Sequence, residues 1–180
     1  RVSDSDIKIL KDNNVSVVTS PVSNAKLGNG VAPVPKLLTA GVNVCLGSDG
    51  VASNNAQNMF REMGFVALIH KAVNNTPQCV GADEVFRMAT INGAKALHLS
   101  GITGSIEKGK RADLAILRLD VPSMIPANNL KAALCYSANG SEVDTVIIDG
   151  KVVMEHREMK TVDEEKVYHK MAEISKRLGL

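Results

Sequence analysis

From residue 42 to 46 apolar and small or polar side chains alternate. Val42, Val44 and Leu46 share one face and Asn43 and Cys45 the other, the period-two pattern of a short β-strand. Gly47 breaks the run and leaves Asp49 just past the strand's carboxyl end. Upstream, residues 7–13 read as the end of a helix and residues 15–19 as another strand. Pro21 and Gly28-Asn29-Gly30 predict irregular chain until Pro33 and Pro35 introduce a short helix through Leu37 and Leu38. Gly41 closes that helix, where a left-handed residue is wanted. The order strand, loop, helix, strand is the building block of a parallel α/β sheet.

Asn54 and Asn55 are expected to open a helix in which Met59, Met63, Val66 and Ala67 keep helical spacing, a stripe that reads as core. Two more helical segments come next, through Val85 and Met88 and through Ala94 and Leu97, ending at Ser100-Gly101. From about Ile106 the pattern turns to strands. Residues 112–119 form an aliphatic run, and residues 145–153 read as a hairpin turning on Asp149-Gly150. Between them, residues 121–129 carry two prolines and read as a loop. Thr161 and Glu164 make a capping-box pattern ahead of a last helix with the stripe Val167, Met171, Ile174 and Leu178. The domain boundary is expected near Gly104, giving residues 1–104 and 105–180.

Composition narrows the classes. Apolar residues make up 44% of the 180 positions and charged residues 22%, the balance of an ordinary globular protein. No run of roughly 18 apolar residues predicts a membrane span. The net charge of +2 is small and its cations are interspersed with acids; with three Phe, two Tyr and no Trp, nucleic acid is not an expected partner. Cys45, Cys79 and Cys135 are odd in number and widely spaced, which argues against a disulfide framework and for a reducing cytoplasm. Cys45, in an expected buried strand, reads as a small core hydrophobe.

Asp49 is the candidate site residue. In (β/α) barrels catalytic side chains gather at the carboxyl ends of the strands, so a carboxylate there reads as functional. The competing reading is an Asp that caps the next helix. Gly104 to Lys110 matches most of a phosphate-binding G-x-x-x-x-G-K pattern, but Arg111 stands where Ser or Thr should hold magnesium, and a strand comes next instead of a helix. Ser48 beside Asp49 has no neighbouring His to make it a nucleophile. The four histidines, His70, His98, His156 and His169, fall late in expected helices or in the tail.

Pro21-Val22-Ser23-Asn24-Ala25-Lys26-Leu27-Gly28-Asn29-Gly30-Val31-Ala32-Pro33, then Leu46-Gly47-Ser48-Asp49-Gly50 and Val51-Ala52-Ser53-Asn54-Asn55, resemble the last two barrel strands of the amidohydrolase superfamily. The likeness is to its branch of methylthioadenosine/S-adenosylhomocysteine deaminases and chlorohydrolases. It continues through Ala89-Thr90-Ile91-Asn92-Gly93-Ala94, through Gly104-Ser105-Ile106-Glu107-Lys108-Gly109, and through Val146-Ile147-Ile148-Asp149-Gly150. The resemblance implies the C-terminal part of a (β/α)8 barrel over 1–104, then strands of a small β-sandwich and a C-terminal helix over 105–180. It implies a divalent metal, zinc first and iron second, with Asp49 as both metal ligand and proton shuttle in hydrolytic deamination of an adenosine-type amine. Asn24, Lys26 and Ser53 are expected only to brace their loops.

The sequence departs from the pattern at Thr19-Ser20, where many relatives carry His before Asn or Cys, and at Ser48, where many carry Thr. None of the four histidines matches the family's His-x-His pair or its later strand-end ligands. A barrel needs roughly 250 residues, so the chain is expected to be a C-terminal portion, inactive alone and prone to pair with a second copy through open strand edges. The alternative is a non-enzymatic α/β binding or oligomerisation module.

Overall fold

Ser3 starts the first helix: its hydroxyl accepts the Asp6 N–H at 3.2 Å while the Asp6 carboxylate accepts the Ser3 N–H at 2.8 Å, a reciprocal cap. The computed structural model describes residues 2–179. Helix α1 (Asp4–Asp12) leads into strand β1 (Val17–Thr19), and helices α2 (Pro21–Lys26) and α3 (Val34–Thr39) carry the chain to strand β2 (Val44–Leu46). The two strands pair in parallel, Val17 with Val44 and Thr19 with Leu46, and the Gly47 N–H extends the ladder to the Thr19 carbonyl at 2.9 Å. Helices α4 (Val51–Asn54), α5 (Met59–Asn74), α6 (Ala82–Met88) and α7 (Ile91–Ala96) come after β2.

The described chain divides into two compact units, one running through Lys110 and resuming over Leu119–Glu142, the other built from Arg111–Arg118 and the chain from Val143 onward. The first is an α/β unit whose core gathers Ile7, Leu37, Val44, Met63, Val66, Val85 and Met88 around the parallel pair. The sequence pattern changes near Gly104, but Leu119–Glu142 packs with the first unit. Its helix α8 (Leu130–Tyr136), capped by Asn129 and not expected from the sequence, puts Cys135 into that core, and Met124 is buried as well.

The second unit is an antiparallel sheet in the order β3 (Leu114–Leu117), β4 (Val143–Ile148), β5 (Lys151–Glu155), β6 (Glu158–Met159). Asp149 and Gly150 turn the hairpin at φ 50° and 77°, the positive values the sequence demands. His156 and Arg157 make a second such turn at φ 49° and 67°, with no Gly or Asn to announce it. Helix α9 (Glu164–Leu178) is capped by Asp163, whose carboxylate accepts the Lys166 N–H at 3.0 Å, instead of by Thr161; its apolar stripe has no fully buried member. Among the described residues no helix is long and apolar enough to cross a membrane.

Two further expectations differ from the structure. Pro21 begins α2 at a position where its missing N–H removes nothing, so a helix fills part of the stretch expected to be irregular. Asn54 and Asn55 end α4, with Asn55 left-handed at φ 69°, and Asn58 caps α5 by accepting the Arg61 N–H at 3.1 Å.

Candidate functional site

Parallel pairing brings the carboxyl ends of β1 and β2 to the same edge, so the segments leaving the two strands meet there. Gly47 is the first residue beyond β2. A Cβ there would lie 2.9 Å from Val18 Cγ1 and 3.3 Å from Ser20 Oγ, so any larger residue makes those side chains shift. Asp49 then takes a left-handed φ of 63°, which Asp tolerates better than most side chains, and is exposed.

Its carboxylate is fixed from both sides. Ser23, in α2 after β1, donates its hydroxyl to Asp49 Oδ2 at 2.6 Å, and the Gly50 N–H donates to Oδ1 at 2.7 Å. The Ser23 bond first, then Gly50 and the Ser53 hydroxyl, hold the carboxyl below its ordinary value because each stabilises the anion. The capping alternative does not describe this geometry. Gly50 is the N-cap of α4, no side chain caps that helix, and Asp49 precedes it.

Behind the exposed carboxylate lies a buried polar layer. Asn54 Nδ2 donates to the Ser48 carbonyl at 2.5 Å and to Glu62 Oε1 at 2.6 Å. Glu62 Oε2 accepts the Val22 N–H at 3.2 Å, and Glu62 is fully buried. Lys26 reaches across to the Ala52 carbonyl at 3.2 Å and to Asn55 Oδ1, the bracing expected of it. Ser23, Asn54 and Glu62 are not singled out by the sequence pattern as site residues. The one available signal is polar residues on an apolar helix face: Glu62 and His70 fall at four-residue intervals with the buried Val66.

The four histidines lie on elements other than the loop that carries Asp49. His70 is buried in α5, where desolvation first and then Lys71 push its pKa down, which favours the neutral imidazole. It shares a small cleft with Thr19, Pro21, Asn24 and Phe65 that does not include Asp49. His98 is left-handed just after α7, His156 lies in the β5–β6 turn and His169 on α9. The thiols are free, and burial pushes Cys135 up to about 11 and Cys45 upward, so neither is a nucleophile near neutral pH. The phosphate-loop lookalike is closed on itself, because Lys110 Nζ donates to the Ser100 carbonyl at 2.7 Å and pairs with Glu107 at 3.1 Å.

Among the described residues no three His, Cys, Asp or Glu side chains stand together to hold a metal ion. Asp49 fits the part of one oxygen ligand. A carboxylate has about four acceptor positions, and the Ser23 and Gly50 bonds leave room for a cation or a water. A zinc centre takes about three or four ligands, so these residues offer one corner of such a centre.

Comparison with known proteins gives this geometry a family context. The family model described as the amidohydrolase family matches residues 2–153. A 5-methylthioadenosine/S-adenosylhomocysteine deaminase from Acetivibrio thermocellus is 51% identical over 177 residues, covering 98% of this chain and 41% of that protein. A 5'-deoxyadenosine deaminase from Methanocaldococcus jannaschii is 49% identical over 173 residues, covering 96% of this chain and 40% of that protein. The crystal structure of an adenosine deaminase from Xanthomonas campestris with bound zinc superposes with a TM-score of 0.95 at 35% identity, over 98% of this chain and 40% of that one. The chain thus spans about 40% of the length of these relatives.

Proposed function

We propose, on the premise that this chain belongs to the amidohydrolase family, that it supplies the last strands of a (β/α)8 barrel and part of a β-sandwich to a hydrolase that deaminates adenosine-type substrates. The observation that carries the reading is the exposed carboxylate of Asp49, clamped by Ser23 at the shared carboxyl edge of two parallel strands. The deaminase relatives and the zinc-bound structural neighbour support the substrate class and the metal. The free thiols suit a reducing cytoplasm.

A divalent metal, when bound, supplies the Lewis acidity that makes water a nucleophile near neutral pH. Asp49 is the residue of this chain that would hold it, through one carboxylate oxygen. The other oxygen accepts a proton from the attacking water as its oxygen adds to the ring carbon bearing the amine. The ring C=N electron pair moves onto the ring nitrogen as oxygen adds and returns when the bond to the amine breaks. Asp49 gives its proton to that amine, so ammonia leaves and the hydroxyl stays on the carbon. The lowered pKa keeps the carboxylate ionised and ready as an acceptor. The Ser23 and Gly50 bonds hold its orientation, so little ordering remains for the moment of reaction.

The test is Asp49→Asn in the full-length polypeptide that contains this chain. Asn keeps the shape and tolerates the left-handed backbone. Ammonia release from S-adenosylhomocysteine or methylthioadenosine is expected to fall in kcat by about 10²–10⁴-fold, the usual worth of a general acid–base group, with Tm little changed. Near-normal turnover removes Asp49 from the chemistry. A wild-type protein that releases no ammonia from either substrate favours the binding or oligomerisation module.

A further inference from the structure

Glu62 is a fully buried carboxylate, and among the described residues the structure gives it only neutral partners, Val22 N–H and Asn54 Nδ2. Burying an anion is expensive, and an apolar side chain of similar volume is usually as stable or more so. The neighbouring positions on this face of α5 are Met63 and Val66, so a third apolar residue would suit the core. Core packing therefore does not explain a carboxylate here.

Its bonds do. One oxygen holds Val22, the residue next to Ser23, and the other holds Asn54, whose same nitrogen holds the carbonyl of Ser48, the residue next to Asp49. Asn54 keeps that orientation although its own Oδ1 is buried with no partner among the described residues. Turning the amide over would face oxygen to oxygen against Glu62. The two arms end one residue short of the two partners of the exposed bond, Ser23 Oγ and Asp49 Oδ2. Glu62 also lies in the first turn of α5, where the helix dipole favours an anion.

We propose that Glu62 is a positioning residue for Asp49: its buried carboxylate locks α2 and the β2–α4 loop at the separation that the Ser23–Asp49 bond requires. The inference rests on the reading of Asp49 as the working carboxylate, but part of its test does not. Gln at this position has one acceptor where two donors converge, and its amide turns a donor against a donor.

In the full-length protein, hydrogen exchange of the peptide covering residues 47–55 is compared between Glu62→Gln and Val85→Ala, a core variant in α6, with temperatures set to match the loss of Tm. Faster exchange of that peptide in Glu62→Gln alone is the expected result. The kcat of Glu62→Gln should fall by about 10–100-fold, the range for a group that orients a ligand from behind, and that loss should vanish in an Asp49→Asn background, as coupled residues behave. Equal exchange in the two variants, or a kcat loss carried in full into Asp49→Asn, overturns the proposal. If Glu62→Gln does not accumulate, Asn54→Ala, which cuts the other arm, replaces it with the same expected signs. If the wild-type protein releases no ammonia, the deaminase reading fails, and the exchange comparison by itself decides on Glu62.

Discussion

Glu142 is a second buried carboxyl, and its donors surround it. Ser123 donates to one oxygen at 2.5 Å, and the Asn139 and Gly140 N–H groups donate to the other at 3.1 and 2.9 Å. Desolvation raises its pKa, but the Ser123 hydroxyl and the backbone donors together outweigh it and hold the group below the ordinary 4.5. A carboxyl whose folded pKa is depressed stabilises the fold fully above its unfolded value and loses that contribution as pH falls through the folded value. Glu142→Gln is therefore expected to lower Tm at neutral pH, with unmet donors costing about 1–3 kcal/mol. The gap from wild type should narrow as pH drops below 4.5. Tm measured against pH for both proteins checks this, and parallel curves would contradict it. Asp49 obeys the same sign rule, but it is exposed, so its depressed pKa bears on protonation state at the site and hardly on stability.

At the scale of elements, local signals are legible in the sequence and convergent ones are not. Alternation exposes β2 and places Asp49 after it, Gly41 closes α3 at φ 76°, and Asp149-Gly150 announces the β4–β5 turn. Each depends on residues within a few positions of one another. Helix α2 escapes such a reading because Pro21 weighs as a breaker and not as a helix start, and α8 because its apolar residues become readable only against Met63. The clamp on Asp49 is hidden for a similar reason: Ser23 lies 26 positions from Asp49, and Glu62 lies 40 from Val22. No periodicity encodes such pairs. Gly47 is a middle case, visible as a break while its purpose is not. A Cβ at this end of the β1–β2 pair crowds side chains of the neighbouring strand end, so Gly47→Ala should overpack against Val18 Cγ1 and Ser20 Oγ. A loss of about 1–3 kcal/mol in denaturant unfolding is expected, together with lower activity because the Asp49 loop begins there. An unchanged midpoint would show that the strand ends give way freely.

For the whole molecule the governing fact is how little of a metal centre these residues assemble. Among the described residues the parallel sheet has two strands, whereas parallel sheets usually occur with more strands and both faces covered. On α9, Met171 is 56% and Leu178 64% exposed, so an apolar stripe also stands open. Both features fit the proposal that this chain works joined to more polypeptide, as its roughly 40% span of the deaminase relatives suggests. Catalysis needs the nucleophilic water generated and held, and Asp49 contributes one ligand position and one proton-transfer site toward that. A group that shuttles protons without the rest of the centre has no activated water to act on. Residues 1–180, purified and supplied with zinc, are therefore expected to release no ammonia from methylthioadenosine or S-adenosylhomocysteine, while the full-length protein assayed beside them does. Because the clamp on Asp49 is internal to this chain, Ser23→Ala in the isolated chain should still raise the Asp49 carboxyl pKa, read by NMR, even though no turnover accompanies it. Turnover by the isolated chain above about 1 per second, an ordinary enzyme rate, would mean that its own residues complete the centre and would overturn the division of labour proposed for Asp49.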